Sequence, residues 1–377
     1  MEILRQQIKY ASERLFRGKA LIIFGPRQVG KTTFTEQLMA TLNRKTLRLN
    51  GDDSDTRELL SNPNTTQLKN IIGNNEILLI DEAQRIPNPG LLIKLIVDQI
   101  KTVQVIATGS SSFELASHVN EPLTGRKYEM LLLPFAYQEL VNHTDFLTEK
   151  RLLEQRLIYG SYPEIVTDPT HAEEHLSLLA ESYLYKDLFT LEKIKKPQLL
   201  EKIVRALALQ VGSEVNLNEL SRLVRADNKT IEKYIQLLEM AFVIFTLPAL
   251  NRNVRNEIRK GKKIYFYDNG IINAVTGNFN PMAKRADAGA LWENYLISER
   301  MKFLQLQQRK AKSYFWRTTQ QQEIDYIEET NDYLLAAEFK WNEKRKRKFP
   351  VTFLKGYPEA ATEVITPEER DAFLRGH

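Results

Sequence analysis

Gly25-Pro26-Arg27-Gln28-Val29-Gly30-Lys31-Thr32, followed by Thr33, decides the reading of this chain. Two glycines bracket four residues ahead of a Lys-Thr pair, in the pattern G-x-x-x-x-G-K-[ST], between an apolar run at 21–24 and a helical pattern at 31–42. In that context the glycines let backbone N–H groups point inward, and the start of the helix adds partial positive charge. Lys31 can then reach the β- and γ-phosphates of a nucleotide, and the Thr32 hydroxyl is placed to ligate Mg²⁺. Residues Gly25 to Thr33 are therefore the expected cradle for ATP with Mg²⁺.

Working outward, Ile77-Leu78-Leu79-Ile80-Asp81-Glu82 is an apolar strand ending in two carboxylates. Asp81 is placed to hold Mg²⁺ through water and Glu82 to polarise the attacking water, which makes ATP hydrolysis the expected reaction. After the next apolar run, at 103–107, comes Thr108-Gly109-Ser110-Ser111, polar residues at a strand's C-terminal edge. Thr108 or Ser110 senses the γ-phosphate there, or the segment is a turn with no further role. Arg126, in Leu123-Thr124-Gly125-Arg126, is either an arginine finger for the same or a neighbouring subunit of a homo-oligomer, or a surface arginine in a loop.

Short apolar runs at 21–24, 47–50, 77–80 and 103–107 alternate with helical patterns such as 31–42 and 90–100. Near-continuous apolar strands of this kind predict a doubly wound parallel α/β sheet covered on both faces. From about 150 to 245 the period becomes helical, with patterns at 176–188 and 198–211. A short helix at 218–223, a turn near 225–228 and a second helix at 229–240 precede β-prone runs at 242–247 and 263–267. Helix, turn, helix and a hairpin with a basic tip is the order of a winged helix-turn-helix. A helix at 288–303 and strands at 312–317, 323–328 and 333–340 then predict a second, smaller α/β domain. The expected divisions are 1–150, 151–270 and 271–377.

Composition narrows the class. The 377 residues are 27% charged and 42% hydrophobic, the range of globular chains. There is no cysteine, which removes disulfide scaffolds, thiol nucleophiles and Cys-based metal sites and favours a cytoplasmic address. Nothing approaches the apolar run a membrane span requires. Of the net charge of +5, the excess lies at the end: residues 251–377 carry 23 basic and 17 acidic groups. Arg252, Arg255, Arg259, Lys260, Lys262 and Lys263 crowd the proposed wing, and Lys344 to Lys348 are five consecutive cations. Both clusters fit a DNA surface or, more simply, solvated faces. His171 and His175 are four residues apart, but no third ligand near them is evident, so no zinc site is expected.

Glu293 falls within the helical pattern at 288–303, Asp325 in Glu323-Ile324-Asp325-Tyr326, and Glu338 and Lys340 in Ala337-Glu338-Phe339-Lys340. The period of a strand puts Glu338 and Lys340 on one face. Asp325 could join Glu338 around a divalent cation while Lys340 orients a water against a phosphodiester; an ion pair of Lys340 with Glu338 or Asp325 is the plainer reading. An Asp followed a dozen or so residues later by Glu-x-Lys resembles the PD-(D/E)xK nuclease core, with Glu293 matching the helical acid many of those carry. The Pro that usually precedes the Asp is replaced by Ile324.

GPRQVGKTT, ILLIDEAQ, VIATGSSSF, LTGRKYEMLLLPFAYQEL, YGSYPEIV and ESYLYKDL together resemble a large bacterial and archaeal group of AAA-type ATP-binding proteins with a C-terminal domain of unknown function, 4143. The resemblance implies a P-loop ATPase core, a winged-helix segment and a nuclease-like fold. Two functions follow as expectations. One is an ATPase, with Lys31, Glu82 and Arg126 as catalytic residues, that repositions an active nuclease-like site, Glu338 and Lys340, on DNA. The other is a nucleotide-switched binding protein whose nuclease-like fold only grips its partner.

Overall fold

The computed structural model describes residues 3–110, 123–181, 197–251, 261–342 and 348–376. The chain divides into two compact units, Met1–Leu133 with Met240–Phe242 and Pro134–Glu239 with Val243–His377.

In the first unit β1 (Ala20–Phe24), β2 (Thr46–Asn50), β3 (Ile77–Asp81), β4 (Gln104–Gly109) and β5 (Lys127–Leu131) form one sheet in the order β2-β3-β4-β1-β5. Every neighbouring pair is parallel, as the apolar runs predict. The three central strands are buried almost throughout, whereas edge strand β2 is half-exposed and β5 mostly so. This explains why β5 escapes a sequence reading. Lys-Tyr-Glu-Met-Leu carries two charges and presents no continuous apolar run, because an edge strand need not be covered on both sides. On one face Leu21 and Ile23 of β1 pack with Phe34 and Leu38 of the helix Lys31–Leu42, whose bounds match the expected pattern. Because β4 lies between β1 and β3, the loop after β1 and the acids after β3 open on either side of Thr108.

The second unit begins with short helices, among them Pro163–Thr167 and Ala172–Leu179. The helix Pro197–Leu209 is followed by Leu217–Val224 and Asn228–Met240, separated by a turn in which Arg225 is left-handed (φ 55°). Next, β6 (Ile244–Pro248) and β7 (Lys262–Phe266) pair antiparallel, Ile244 opposite Phe266 and Pro248 opposite Lys262. The helix–turn–helix–hairpin order is thus present. Four of the expected wing cations, Arg252, Arg255, Arg259 and Lys260, lie outside the described residues, as do Lys344 to Arg347 and the end of the 176–188 pattern.

The final segment places β8 (Lys312–Arg317), β9 (Glu323–Glu329), β10 (Leu334–Phe339) and β11 (Ala361–Ile365) in the order β11-β10-β9-β8, antiparallel except for the β10–β11 pair. The edge strand β11 gives no clear sequence signal: of its Ala-Thr-Glu-Val-Ile only Ile365 is buried, and burial does not alternate. Trp316, Ile324, Ile327, Ala336 and Phe353 form the core on one side of this sheet. The nineteen-residue helix Ala288–Leu306 is buried over most of its length. Its Asn294 clasps β7, accepting from the Phe266 N–H at 2.8 Å and donating to the Phe266 carbonyl at 3.1 Å. That clasp sets Glu293 beside β7.

Candidate functional site

The loop after β1 is shaped by close approach. A Cβ on Gly25 would lie 1.9 Å from the Leu132 carbonyl oxygen, and Gly30, which caps the helix Lys31–Leu42, is left-handed at φ 86°. An L side chain is excluded by contact at the first position and disfavoured by backbone geometry at the second. Gln28 also adopts a left-handed conformation (φ 55°), and Val29 is fully buried. Buried Arg5 donates through Nη2 to the Val29 carbonyl at 2.7 Å, bracing the loop from the N-terminal segment. Lys31 is buried, its Nζ over the loop 3.1 Å from the Gly25 carbonyl and 2.8 Å from that of Pro26. Arg27, Thr32 and Thr33 are at least partly exposed.

The Thr32 hydroxyl donates to Asp81 Oδ2 at 3.0 Å, so the hydroxyl and carboxylate expected to serve Mg²⁺ converge from the first turn of the helix Lys31–Leu42 and the end of β3. This pair, one hydroxyl and one carboxylate beside a loop built for phosphates, fits a hard cation. Thr108, fully buried, donates its hydroxyl to Asp81 Oδ1, and the Glu82 N–H donates to the Thr108 hydroxyl at 3.2 Å. Glu82 itself is left-handed at φ 48°. Its carboxylate accepts from the Gln84 amide, which also donates to Ser110 Oγ at 3.2 Å. Thr108 and Ser110, which the sequence leaves as either a γ-phosphate sensor or a plain turn, contact the two acids, Thr108 directly and Ser110 through Gln84. Sequence reasoning gave Gln84 no role. The available signal was an amide two residues beyond the acidic pair, within reach of it on a single turn.

Arg126 does not join this group. Its carbonyl accepts from the Ala20 N–H at 2.9 Å, at the N-terminal end of β1, and its guanidinium is bonded to Asp98 Oδ1 at 2.7 Å. The phosphate loop is at the other end of that strand, about 13 Å away at the usual rise per residue.

A second polar centre lies in the second unit. Lys340 Nζ donates to Glu338 Oε2 at 2.8 Å and is 3.7 Å from Asp325 Oδ2, which accepts from the Phe339 N–H at 2.8 Å. Glu293 Oε1 accepts from Tyr265 Oη at 2.6 Å and from Lys263 Nζ at 3.2 Å, and that same Nζ is 2.5 Å from Glu323 Oε1. Burial pushes the Glu293 carboxyl up to about 7, with the Asp325 charge adding to the effect and Lys263 and Tyr265 opposing it. Burial alone would lower Lys263, yet the carboxylates of Glu293 and Glu323 leave it raised.

Two expectations change here. Lys263 was grouped with the wing cations, but its residue is 2% exposed and faces inward, while Lys262 is exposed. Consecutive strand residues face opposite ways, so one of the two had to turn in. The cage expected around Glu293, Asp325 and Glu338 is also not closed on itself. Among the described residues, the group of three or more His, Asp or Glu ligand atoms mutually within 4.8 Å is Asp168, His171 and His175. At the C-terminal acids two lysines stand against the carboxylates instead.

The fold and the loop define an AAA-type P-loop ATPase domain, and residues 17–141 match the family model described as an AAA domain. Residues 150–281 match a domain of unknown function (DUF8612), and residues 288–376 match another (DUF4143). An uncharacterized protein of Mycobacterium tuberculosis is 24% identical over 322 residues, covering 83% of this chain and 68% of its own length. One of Methanocaldococcus jannaschii is 22% identical over 364 residues, 89% of this chain and 78% of that one. Among solved structures, the Walker-type ATPase PABY2304 of Pyrococcus abyssi is 17% identical with a TM-score of 0.47, covering 73% of this chain and 96% of that one. The RuvB Holliday junction branch migration motor of Thermotoga maritima is 17% identical with a TM-score of 0.31, covering 70% and 92%. Among the described residues no helix is long and apolar enough to cross a membrane.

Proposed function

We propose that the chain binds ATP with Mg²⁺ at Gly25–Thr33, hydrolyses it with Glu82 as the residue that polarises water, and uses the nucleotide state to control DNA engagement by its second unit. The observation that carries the first part is the convergence of Lys31, the Thr32–Asp81 pair and the Gln84-held Glu82 around one loop. When bound, Mg²⁺ supplies charge neutralisation between the phosphates. The chain's own groups do the rest. Lys31 and the loop amides hold the phosphates, Thr108 fixes Asp81, and Gln84 points Glu82. Arg126, at the far end of the sheet, serves as a finger only on a second copy, which makes a homo-oligomer part of the proposal.

The proposed divisions are an ATPase domain at 1–150, a winged-helix region at 151–270 and a nuclease-like domain at 271–377, working in the cytoplasm. Support for DNA comes from the helix–turn–helix–hairpin order and from Arg222, Arg225, Lys229 and Lys233, all exposed around the turn and second helix. Lys31→Ala is expected to abolish ATP turnover while circular dichroism stays unchanged; retained turnover would discard the assignment.

A second reading, that the nuclease-like fold grips rather than cuts, is favoured by Lys263 and Lys340 standing against its carboxylates. Supercoiled and linear DNA incubated with Mg²⁺ or Mn²⁺ separates the two. Cleavage lost in both Glu338→Ala and Lys340→Ala supports a nuclease with Glu293, Asp325 and Glu338 as metal ligands. Salt-sensitive binding without cleavage supports the grip.

A further inference from the structure

Asp168, His171 and His175 bring three ligand atoms together where the helix Pro163–Thr167 hands over to Ala172–Leu179. Asp168 Oδ2 is 2.9 Å from His171 Nδ1 and 3.1 Å from His175 Nε2, and the three ligand atoms lie within 4.8 Å of one another. For ligands about 2.0–2.1 Å from a zinc-like ion, tetrahedral geometry puts neighbouring donor atoms roughly 3.3 Å apart. The observed spacing needs only a small outward adjustment of side chains that are partly exposed.

Four further features distinguish this cluster from an ordinary helix start. Asp168 stands where a carboxylate commonly caps a helix, yet neither the 3₁₀ turn Pro169–His171 nor the helix Ala172–Leu179 has a side-chain cap; the Asp168 carboxylate is turned to the imidazoles instead. His171, at the end of the 3₁₀ turn, and His175, in the first turns of the helix that follows, stand close together, their rings 6.1 Å apart. Glu164 Oε1 lies 3.3 Å from His175 Nδ1, the ring nitrogen not turned to Asp168. With no ion bound, His175 Nε2 is hydrogen-bonded to Asp168 and the two carboxylates favour a proton on each ring nitrogen; a metal replaces the Nε2 proton, and Glu164 then faces the one kept on Nδ1, the outer-shell arrangement of metal-bound histidines. Pro163 and Pro169 restrict the backbone on both sides.

We infer that Asp168, His171 and His175 bind a borderline divalent cation of the zinc class, with Glu164 as outer-shell partner. One carboxylate oxygen and two imidazole nitrogens suit Zn²⁺ or Co²⁺ better than Mg²⁺, which favours oxygen. Three protein ligands leave a fourth position, and with His171 59% exposed in its side chain that position opens to solvent. Such an ion would staple the short helical elements of 163–179 together, independently of the nucleotide loop.

The full-length chain, stripped with EDTA and dialysed, is titrated with Zn²⁺ and, as a spectroscopic probe, Co²⁺, in millimolar Mg²⁺. One equivalent is expected to bind, with the visible bands of four-coordinate Co²⁺ and a rise in the thermal midpoint that EDTA reverses. His171→Ala, at an exposed side chain, should remove those bands, and Glu164→Gln should weaken Co²⁺ affinity about tenfold while keeping them. Absence of saturable binding by the wild type would overturn the inference. So would equal affinity in wild type and His171→Ala, which would put the ion elsewhere on the chain.

Discussion

The phosphate loop and the C-terminal carboxylates both gather lysines against acidic or carbonyl oxygens, but they solve opposite problems. At the loop the cation, Lys31, rests on backbone carbonyls, while the acids Asp81 and Glu82 are held by neutral hydroxyl and amide donors, Thr32, Thr108 and Gln84. The donors that hold those two acids, a pair of hydroxyls and an amide, carry no charge. In the second unit Lys263 and Lys340 are themselves paired to Glu293, Glu323 and Glu338. A neutral-donor shell leaves acids ready for a ligand's cation; a lysine shell already supplies one. The contrast teaches that similar residue inventories mark different tasks according to which partner carries the compensating charge.

The sharpest way to break that contrast is Glu82→Gln. If the loop side is the working site, this change lowers ATP turnover by about 10²–10⁴-fold while nucleotide binding by calorimetry persists. Turnover within a few-fold of wild type would remove the distinction between the two centres.

Next in size is the stability of the second unit, where a further acid, Glu328, shows what full compensation looks like. Glu328 accepts Arg300 Nε at 2.7 Å and Nη2 at 2.9 Å, and Tyr326 Oη at 2.9 Å. Burial raises its carboxyl, but the Arg300 hydrogen bonds and charge, with Tyr333 and Tyr326, outweigh this and leave it below the ordinary 4.5. A lowered folded-state value contributes stability above the unfolded value, and that contribution fades as pH falls through the folded one. Glu328→Gln, which leaves Arg300 buried without its counter-charge, is expected to cost about 3–5 kcal/mol at pH 7 in urea melts. The gap from wild type should narrow below pH 4.5. A gap that is constant with pH would mean the pair is not ionised.

Lys263→Met sharpens the comparison at smaller cost, about 1–3 kcal/mol, because Glu293, already near 7, can take up a proton when its partner is lost. The variant should gain more thermal stability from millimolar Mn²⁺ than wild type does, the ion standing in for the missing ammonium. Equal shifts in both would show that the lysine does not occupy a cation's place.

How much of this could be read beforehand depends on where the determining contacts lie in the chain. The loop, the helix Lys31–Leu42 and the strand ending at Asp81 are local patterns, glycines at fixed spacing and apolar runs buried on both faces, and the sequence carries them openly. The edge strands β5 and β11 were missed because partial exposure dilutes their apolar signal. The fate of Lys263 was hidden for a different reason. Neighbours in sequence placed it among wing cations, while its partners are thirty and sixty residues away: Glu293, beside the Asn294 clasp on β7, and Glu323, at the start of β9. Asp168 likewise becomes a third partner to His171 and His175 only once the Pro169 turn brings it round.

Gln84 is the smallest and most discriminating test of the loop side. It touches no expected ligand; its amide nitrogen joins Glu82 to Ser110, so it is a positioning residue. Loss of that amide leaves Glu82 chemically intact but free to rotate from a backbone that is left-handed at its own position. Gln84→Ala should therefore lower kcat about tenfold, the scale of a misaligned but present group, with KM for ATP little changed. Gln84→Glu is the informative companion: it keeps the size but replaces the neutral donor with a charge facing Glu82, and should lower kcat further. If both variants turned over ATP like wild type, the neutral-donor shell would be incidental, and the difference drawn between the two centres would rest on Asp81 and Thr108 alone.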